Sequence, residues 1–217
     1  EQIINFTFPH VGNVGTNIED HESNKIWTKG VILNTEITDP SNYRSLKHFD
    51  LWLKKNRIVG ITGLDTRNLT NFIRDKGAPK GTIAFSKNSK FNIKELVSST
   101  KKWSGIKNLD LAIKVSTTKN YSWSGLKIWK KKEGYLKNKK NLLHVVAIDY
   151  GIKQNILRYF SDFNCKVTVV HCKTSAEAIL KLNPNGVFLS NGPGDPAATG
   201  KYAVSIIKEV IKKNIPI

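Results

Sequence analysis

The sequence predicts an α/β protein of two units, and three observations carry that prediction. Between residues 142 and 217, short β-branched apolar runs alternate with stretches whose apolar residues recur at helical spacing. The connections between them are short, as in a parallel sheet whose crossover helices cover its faces. Residues 1–126 mix strand and helix patterns of another kind, and the 39% hydrophobic content of the 217 residues can supply each unit with a core.

In the first unit, Ile3-Ile4-Asn5-Phe6-Thr7-Phe8 alternates as a strand, and the loop 9–17 follows. The spacing of Leu46, Phe49, Leu51 and Leu53 predicts a helix over 43–55, before a strand at 58–61. Thr66 opens a further helix that Gly77 ends. Residues 81–85 read as a strand and 92–103 as a helix. The segment 127–141 is the densest run of charge, with seven lysines and one glutamate, and it reads as a linker.

In the second unit, Leu142-Leu143-His144-Val145-Val146-Ala147-Ile148-Asp149 is a strand that ends in an acid. Ile152, Ile156, Leu157 and Phe160 then share one helical face. Residues 165–170 form a second strand, after which Thr174 or Ser175 caps a helix that Asn183-Pro184-Asn185-Gly186 stops. Val187-Phe188-Leu189-Ser190 is a third strand and Asn191-Gly192-Pro193-Gly194-Asp195-Pro196 a loop. A helix over about 201–213 turns Val204, Ile207, Val210 and Ile211 inward, and Ile215-Pro216-Ile217 opens a fourth strand. The domains expected are therefore 1–126, a linker 127–141, and 142–217. With no methionine in the chain and a fourth strand that breaks off, an internal fragment is expected.

The net charge of +18 invites a nucleic-acid reading, but 30 of the 35 basic residues are lysine and they spread along the whole chain. Base and phosphate readers favour arginine, whose planar fork bonds bidentately. Lys, Asn and Ile share AT-rich codons, so genome composition and a solvated surface account for the charge, and a basic nucleic-acid-binding module is the lesser alternative. No apolar run reaches the ~20 residues of a membrane-spanning helix. Two cysteines and no clustered histidines give neither a disulfide framework nor a zinc site, which fits a reduced, cytoplasmic protein without a metal.

Two places could hold chemistry. In open parallel sheets ligands bind beyond the carboxyl ends of the strands, where the loop 191–196 falls. Its glycines leave amide N–H groups open to a carboxylate or an oxyanion, although the same residues also make an ordinary turn. Cys172 follows a strand beside His171, yet it lacks the small neighbours of a nucleophile elbow. Side chains adjacent along a strand also point to opposite faces, so Cys172 reads as a structural thiol.

Phe8-Pro9-His10-Val11-Gly12-Asn13-Val14-Gly15-Thr16-Asn17, Leu64-Asp65-Thr66-Arg67-Asn68-Leu69-Thr70 and Asn108-Leu109-Asp110-Leu111 resemble the N-terminal domain of the small, glutamine-hydrolysing subunit of carbamoyl-phosphate synthetase. Asp149-Tyr150-Gly151-Ile152-Lys153-Gln154-Asn155 and Ser190-Asn191-Gly192-Pro193-Gly194-Asp195-Pro196 resemble its class I glutamine amidotransferase half. The resemblance implies a swivelling β/β/α-type N-terminal domain followed by a truncated flavodoxin-like amidotransferase domain. It implies a cysteine thiolate that attacks the glutamine amide, with Gly192 donating its N–H to the oxyanion and Gly194 binding the substrate backbone. It also implies that no catalytic residue lies within 1–217. The nucleophile, in a Gly-x-Cys-x-Gly elbow, is expected a few residues past Ile217, with its His and Glu partners further on. The ammonia would pass to a large partner subunit, which would bind ATP and Mg²⁺ and make the carbamoyl phosphate used for arginine or pyrimidine synthesis. Another class I amidotransferase subunit is the alternative within the same chemistry.

Overall fold

The computed structural model describes residues 2–217, in two compact units that divide between Gly105 and Ile106. The first holds a parallel sheet of β1 (Gln2–Asn5), β2 (Thr28–Ile32) and β3 (Val59–Ile61), in that order. The central strand β2 is absent from the pattern reading. Lys29 and Gly30 break its alternation, and Gly30 is there because a Cβ would meet Ile83 Cγ2 at 2.7 Å. Residues 81–85, expected as a strand, do not pair; Ile83 packs over Gly30 instead. The helix expected over 43–55 is α1 (Phe49–Lys55), and His48 caps it by accepting from Asp50 N through its side chain. It cannot start earlier, because the amides of Leu46 and Lys47 both donate to Thr16 O. Val31, Leu53 and Ile58 form the core, flanked by Phe6, Ile37, Phe49 and Trp52. Asp65 caps α2 (Thr66–Lys76) and Asn92 caps α3 (Ile93–Lys102), both close to expectation.

The second unit is a three-layer α/β sandwich. Its sheet runs β4 (Tyr121–Trp123), β8 (Cys165–His171), β7 (Leu143–Asp149), β9 (Gly186–Leu189), with β4 antiparallel and the other three parallel. Strands buried on both faces read as near-continuous apolar runs, and the central stretches 145–148 and 187–189 do so. Val146, Ile148, Val170, Cys172 and Val187 face α6 (Ala176–Leu180) and α7 (Pro196–Lys212). Ala147, Val167 and Val169 face Leu157 of α5 (Gln154–Asp162). The unit so built has the mixed α/β, open-sheet character that the sequence predicts.

Three expectations are corrected. First, residues 106–126 belong with the second unit, since β4 and α4 (Ala112–Val115) lie in it and β4 covers the edge of β8 that would otherwise be bare. Second, the stretch expected as a linker contains a hairpin, β5 (Gly125–Lys130) and β6 (Gly134–Lys137), turning at Gly134 with φ 66. It lies on α5: Lys127 N donates to Asp162 Oδ1, Lys127 Nζ sits 3.8 Å from the Tyr159 ring centroid, and the Arg158 guanidinium 4.2 Å from that of Tyr135. Its lysines mask a short strand pair because their stems pack while their charges stay wet. Third, α7 begins at Pro196, not near 201, because Asp195 caps it and proline suits the first helical position. Its inward face is Ala203, Ile206 and Val210, with Ile207 packed at its side; Val210 and Ile207 match the expected stripe, whereas Val204 and Ile211 are exposed. The segment 215–217 forms no strand, although Val187 N donates to Pro216 O at 2.8 Å along the free edge of β9.

His144 interrupts the apolar run of β7, and the structure shows how the run tolerates it. One ring nitrogen meets Leu182 O at 3.0 Å and the other Thr168 Oγ1 at 2.8 Å, a pairing that suits the neutral ring. Burial holds its pKa below the ordinary value, and the Lys166 charge on the neighbouring strand adds to this; the Leu182 carbonyl opposes both. A lowered histidine pKa means that the unfolded chain binds the proton more tightly. Stability is therefore complete above the unfolded value of about 6.5 and falls as pH drops below it. The urea midpoint is expected to fall between pH 7.5 and 5.5, with a shallower fall in His144→Gln; equal slopes for the two would refute this assignment.

Candidate functional site

The chain order of the parallel strands places a crevice. From β7 the sheet grows to one side through β8 and to the other through β9, so the connections leaving their carboxyl ends diverge. This is the switch point at which open α/β sheets hold ligands. Two loops meet there, 150–153 after β7 and 190–195 after β9.

The first loop is fixed by Asp149, the buried acid that ends β7. Its Oδ1 accepts from Gly151 N and Ile152 N, both at 2.8 Å, and its Oδ2 from Thr117 N at 2.7 Å. The second loop is fastened to the first by Ser190, whose Oγ accepts from Tyr150 N at 2.9 Å. Burial, with a further contribution from Cys172, pushes the Tyr150 phenol up to about 12, so it stays neutral.

Glycine is required where the loops touch. A Cβ on Gly192 would lie 2.3 Å from Tyr150 O, and one on Gly194 2.6 Å from Leu109 O and 2.8 Å from Leu111 N. Gly151, with φ 126, would bring a Cβ to 3.1 Å from Pro193 Cδ. Sequence reading left open whether these glycines serve a turn or a ligand. The structure shows that they allow close packing of the protein's own backbone. Among the described residues the N–H groups of Gly192 and Gly194 have no hydrogen-bond partner, and Gly192 is exposed. Asp195 closes the loop: Oδ1 caps α7 at Ala197 N, Oδ2 accepts from Asn108 N at 2.7 Å, and its own N donates to Leu109 O. The Asn108 and then the Ala197 amide hold its carboxyl below the usual range.

Cys172 is fully buried in the core. Its N donates to Ser116 Oγ at 3.0 Å, and the Tyr202 hydroxyl lies 3.7 Å from Sγ. His171 is nearer than strand alternation predicts, with Nε2 3.8 Å from Sγ, because the chain turns at the end of β8. It still does not serve as a base. His171 Nδ1 accepts from Lys173 N at 3.1 Å, so the neutral ring carries its proton on Nε2, facing the thiol. Among the described residues, no three His, Cys, Asp or Glu side chains gather as a metal-ligand set.

Sequence reading missed the parts that hold the loop from outside it. Asn108 and Asp110 lie 87 to 92 positions from Asp195, Thr199 and Tyr202, and Ser116 lies 56 from Cys172, so no local pattern links them. Asp149 shows in the sequence as the acid that ends a strand and as the first residue of the Asp149-Tyr150-Gly151-Ile152 motif, and neither reveals the three amides that it holds.

Residues 1–83 match the family described as carbamoyl-phosphate synthase small chain, CPSase domain, and residues 146–217 match glutamine amidotransferase class-I. The chain is 51% identical over 221 residues to the carbamoyl phosphate synthase small chain of Agrobacterium fabrum, covering 100% of this chain and 55% of that one. It is 51% identical over 219 residues to its namesake from Bradyrhizobium diazoefficiens, covering 99% and 55%. The namesake from Zymomonas mobilis is 47% identical over 218 residues, covering 100% and 58%. The chain thus spans little more than half the length of these relatives.

Proposed function

Over the stretch it spans, the chain belongs to the carbamoyl-phosphate synthase small-chain family, and we propose that its full-length gene product hydrolyses glutamine and delivers ammonia to a large synthetase subunit. The observation that supports this reading is the pair of unpartnered amides at Gly192 and Gly194, beside the switch point of the second unit's sheet.

In this reading a thiolate attacks the side-chain carbonyl carbon of glutamine. The carbonyl oxygen gains negative charge and accepts from Gly192 N–H, a donor already in place, so that little reorganisation accompanies the reaction. Gly194 N–H holds the substrate backbone. Collapse of the tetrahedral intermediate expels ammonia and leaves a thioester, which water hydrolyses to glutamate. By the family resemblance the attacking thiol is assigned to a Gly-x-Cys-x-Gly elbow C-terminal to Ile217, and the burial of Cys172 supports its exclusion from that role. ATP and Mg²⁺ are assigned to the large subunit, and a cytoplasmic location goes with this assignment.

The test is glutamate release by the full-length gene product co-expressed with the large subunit, together with carbamoyl phosphate synthesis from glutamine or from added ammonia. Glutamine hydrolysis that persists within about 2-fold in Cys172→Ala is expected. No hydrolysis by the wild type would refute the function, and its loss in a folded Cys172→Ala would refute the placement of the nucleophile.

A further inference from the structure

The glycine loop is held from outside by a short segment whose residues lie far from it in sequence. Asn108, with φ 64, turns the chain so that its N donates to Asp195 Oδ2, while Leu109 O accepts from Asp195 N at 3.0 Å. These reciprocal bonds seat residues 108–111 against Gly194, where there is no room for a Cβ. Between them and α4 stands Asp110. Its Oδ1 accepts from Ile113 N at 3.2 Å, from the Tyr202 hydroxyl at 3.3 Å and from Thr199 Oγ1 at 3.5 Å. Thr199 and Tyr202 lie one and two turns along α7 from its cap, Asp195. A single carboxylate oxygen therefore fixes the register between the 108–111 segment and the helix that the glycine loop enters.

We propose that Asp110 is a positioning residue for glutamine capture, which sets the direction of the Gly192 and Gly194 amides by locking the 108–111 brace to α7. This rests on the glutamine reading of the loop. Each of the three contacts is longer than a strong charge-assisted bond, and together they act on the helix at a distance from the amides. Loss of Asp110 thus loosens the loop before it unfolds the unit. A loosened loop weakens the binding of glutamine more than it slows the turnover of bound substrate, because the substrate can reassemble the donors at the expense of affinity.

The experiment uses the full-length gene product with its large subunit and compares wild type, Asp110→Ala, Asp110→Asn and Tyr202→Phe. Asp110→Ala is expected to raise KM for glutamine about tenfold with kcat within about twofold. Asp110→Asn keeps an acceptor oxygen and is expected to recover most of this, and Tyr202→Phe to fall between. Ammonia-dependent synthesis should match the wild type throughout. A fall in kcat equal to the rise in KM, or no rescue by asparagine, overturns the proposal in favour of a purely structural acid. If wild type hydrolyses no glutamine, amide exchange at Gly192 and Gly194 still tests the brace: faster exchange in Asp110→Ala at an unchanged unfolding midpoint supports it, and unchanged exchange refutes it.

Discussion

Gly192→Ala is expected to reduce glutamine hydrolysis by the full-length protein at least about 100-fold, the range seen when one oxyanion donor is lost. The added Cβ would sit 2.3 Å from Tyr150 O and 2.9 Å from Tyr150 Cβ. These atoms cannot rotate away, because Tyr150 N is bonded to Ser190 Oγ and the next two amides to Asp149. The loop must withdraw instead, and the Gly192 N–H turns with it. Gly192 does not occupy the left-handed backbone region, so the effect is steric and lies in the place of the donor. Overpacking costs about 1–3 kcal/mol, and the unfolding midpoint should fall accordingly. Two glycines outside the crevice serve as controls. A Cβ on Gly186 finds its nearest neighbour at 3.6 Å, and one on Gly200, inside α7, meets Val204 Cγ2 at 3.8 Å, both ordinary contacts. Gly200→Ala should stabilise by about 0.5–1 kcal/mol and leave hydrolysis intact. Co-purification of Gly192→Ala with the large subunit reports whether the complex still assembles. If glutamine hydrolysis stays within tenfold of wild type, the oxyanion is stabilised elsewhere.

What could be read in the sequence followed from how local each determinant is. The runs at 143–149 and 165–171 are strands of consecutive, mostly β-branched apolar residues, and that pattern needs no partner to be seen. The starts of α2, α3 and α6 are legible for the same reason, since the caps Asp65, Asn92 and Ser175 act over three residues. β4 was not visible: three residues, Tyr121-Ser122-Trp123, become a strand only because the edge of β8 is there to receive them. The charge of 127–141 concealed a hairpin whose register is set by aromatic contacts with α5, a tertiary cause. On α7 two apolar stripes fit the helical period equally, and only the sheet beneath decides for Ala203, Ile206 and Val210. The same division runs through the site. The loop sequence of Gly192 and Gly194 could be read in one stretch, whereas Asn108 and Asp110 reach it across 87 or more positions.

Asp149→Ala is expected to destabilise the second unit by about 3–5 kcal/mol, because it leaves three backbone amides without an acceptor at about 1–3 kcal/mol each, part of which water recovers. Among the described residues, the amides of Gly151, Ile152 and Thr117 lose the acceptor they have, and that of Ile152 is buried. A loss of this size is a large part of the 5–15 kcal/mol that holds a typical domain, so the urea transition should begin near zero denaturant. Asp149→Asn separates the two oxygens. Its carbonyl can replace Oδ1 and accept from Gly151 and Ile152, but its NH₂ then opposes the Thr117 N–H, donor against donor. About half of the loss is therefore expected, with amide exchange faster at Thr117 than at Gly151 and Ile152. Equal exchange at all three would mean that the carboxylate acts by charge alone. Because the same three bonds hold the backbone that Gly192 packs on, glutamine hydrolysis by Asp149→Asn should fall even at temperatures where the unit stays folded. Full activity in a folded Asp149→Asn protein would separate the turn after β7 from the donor loop after β9.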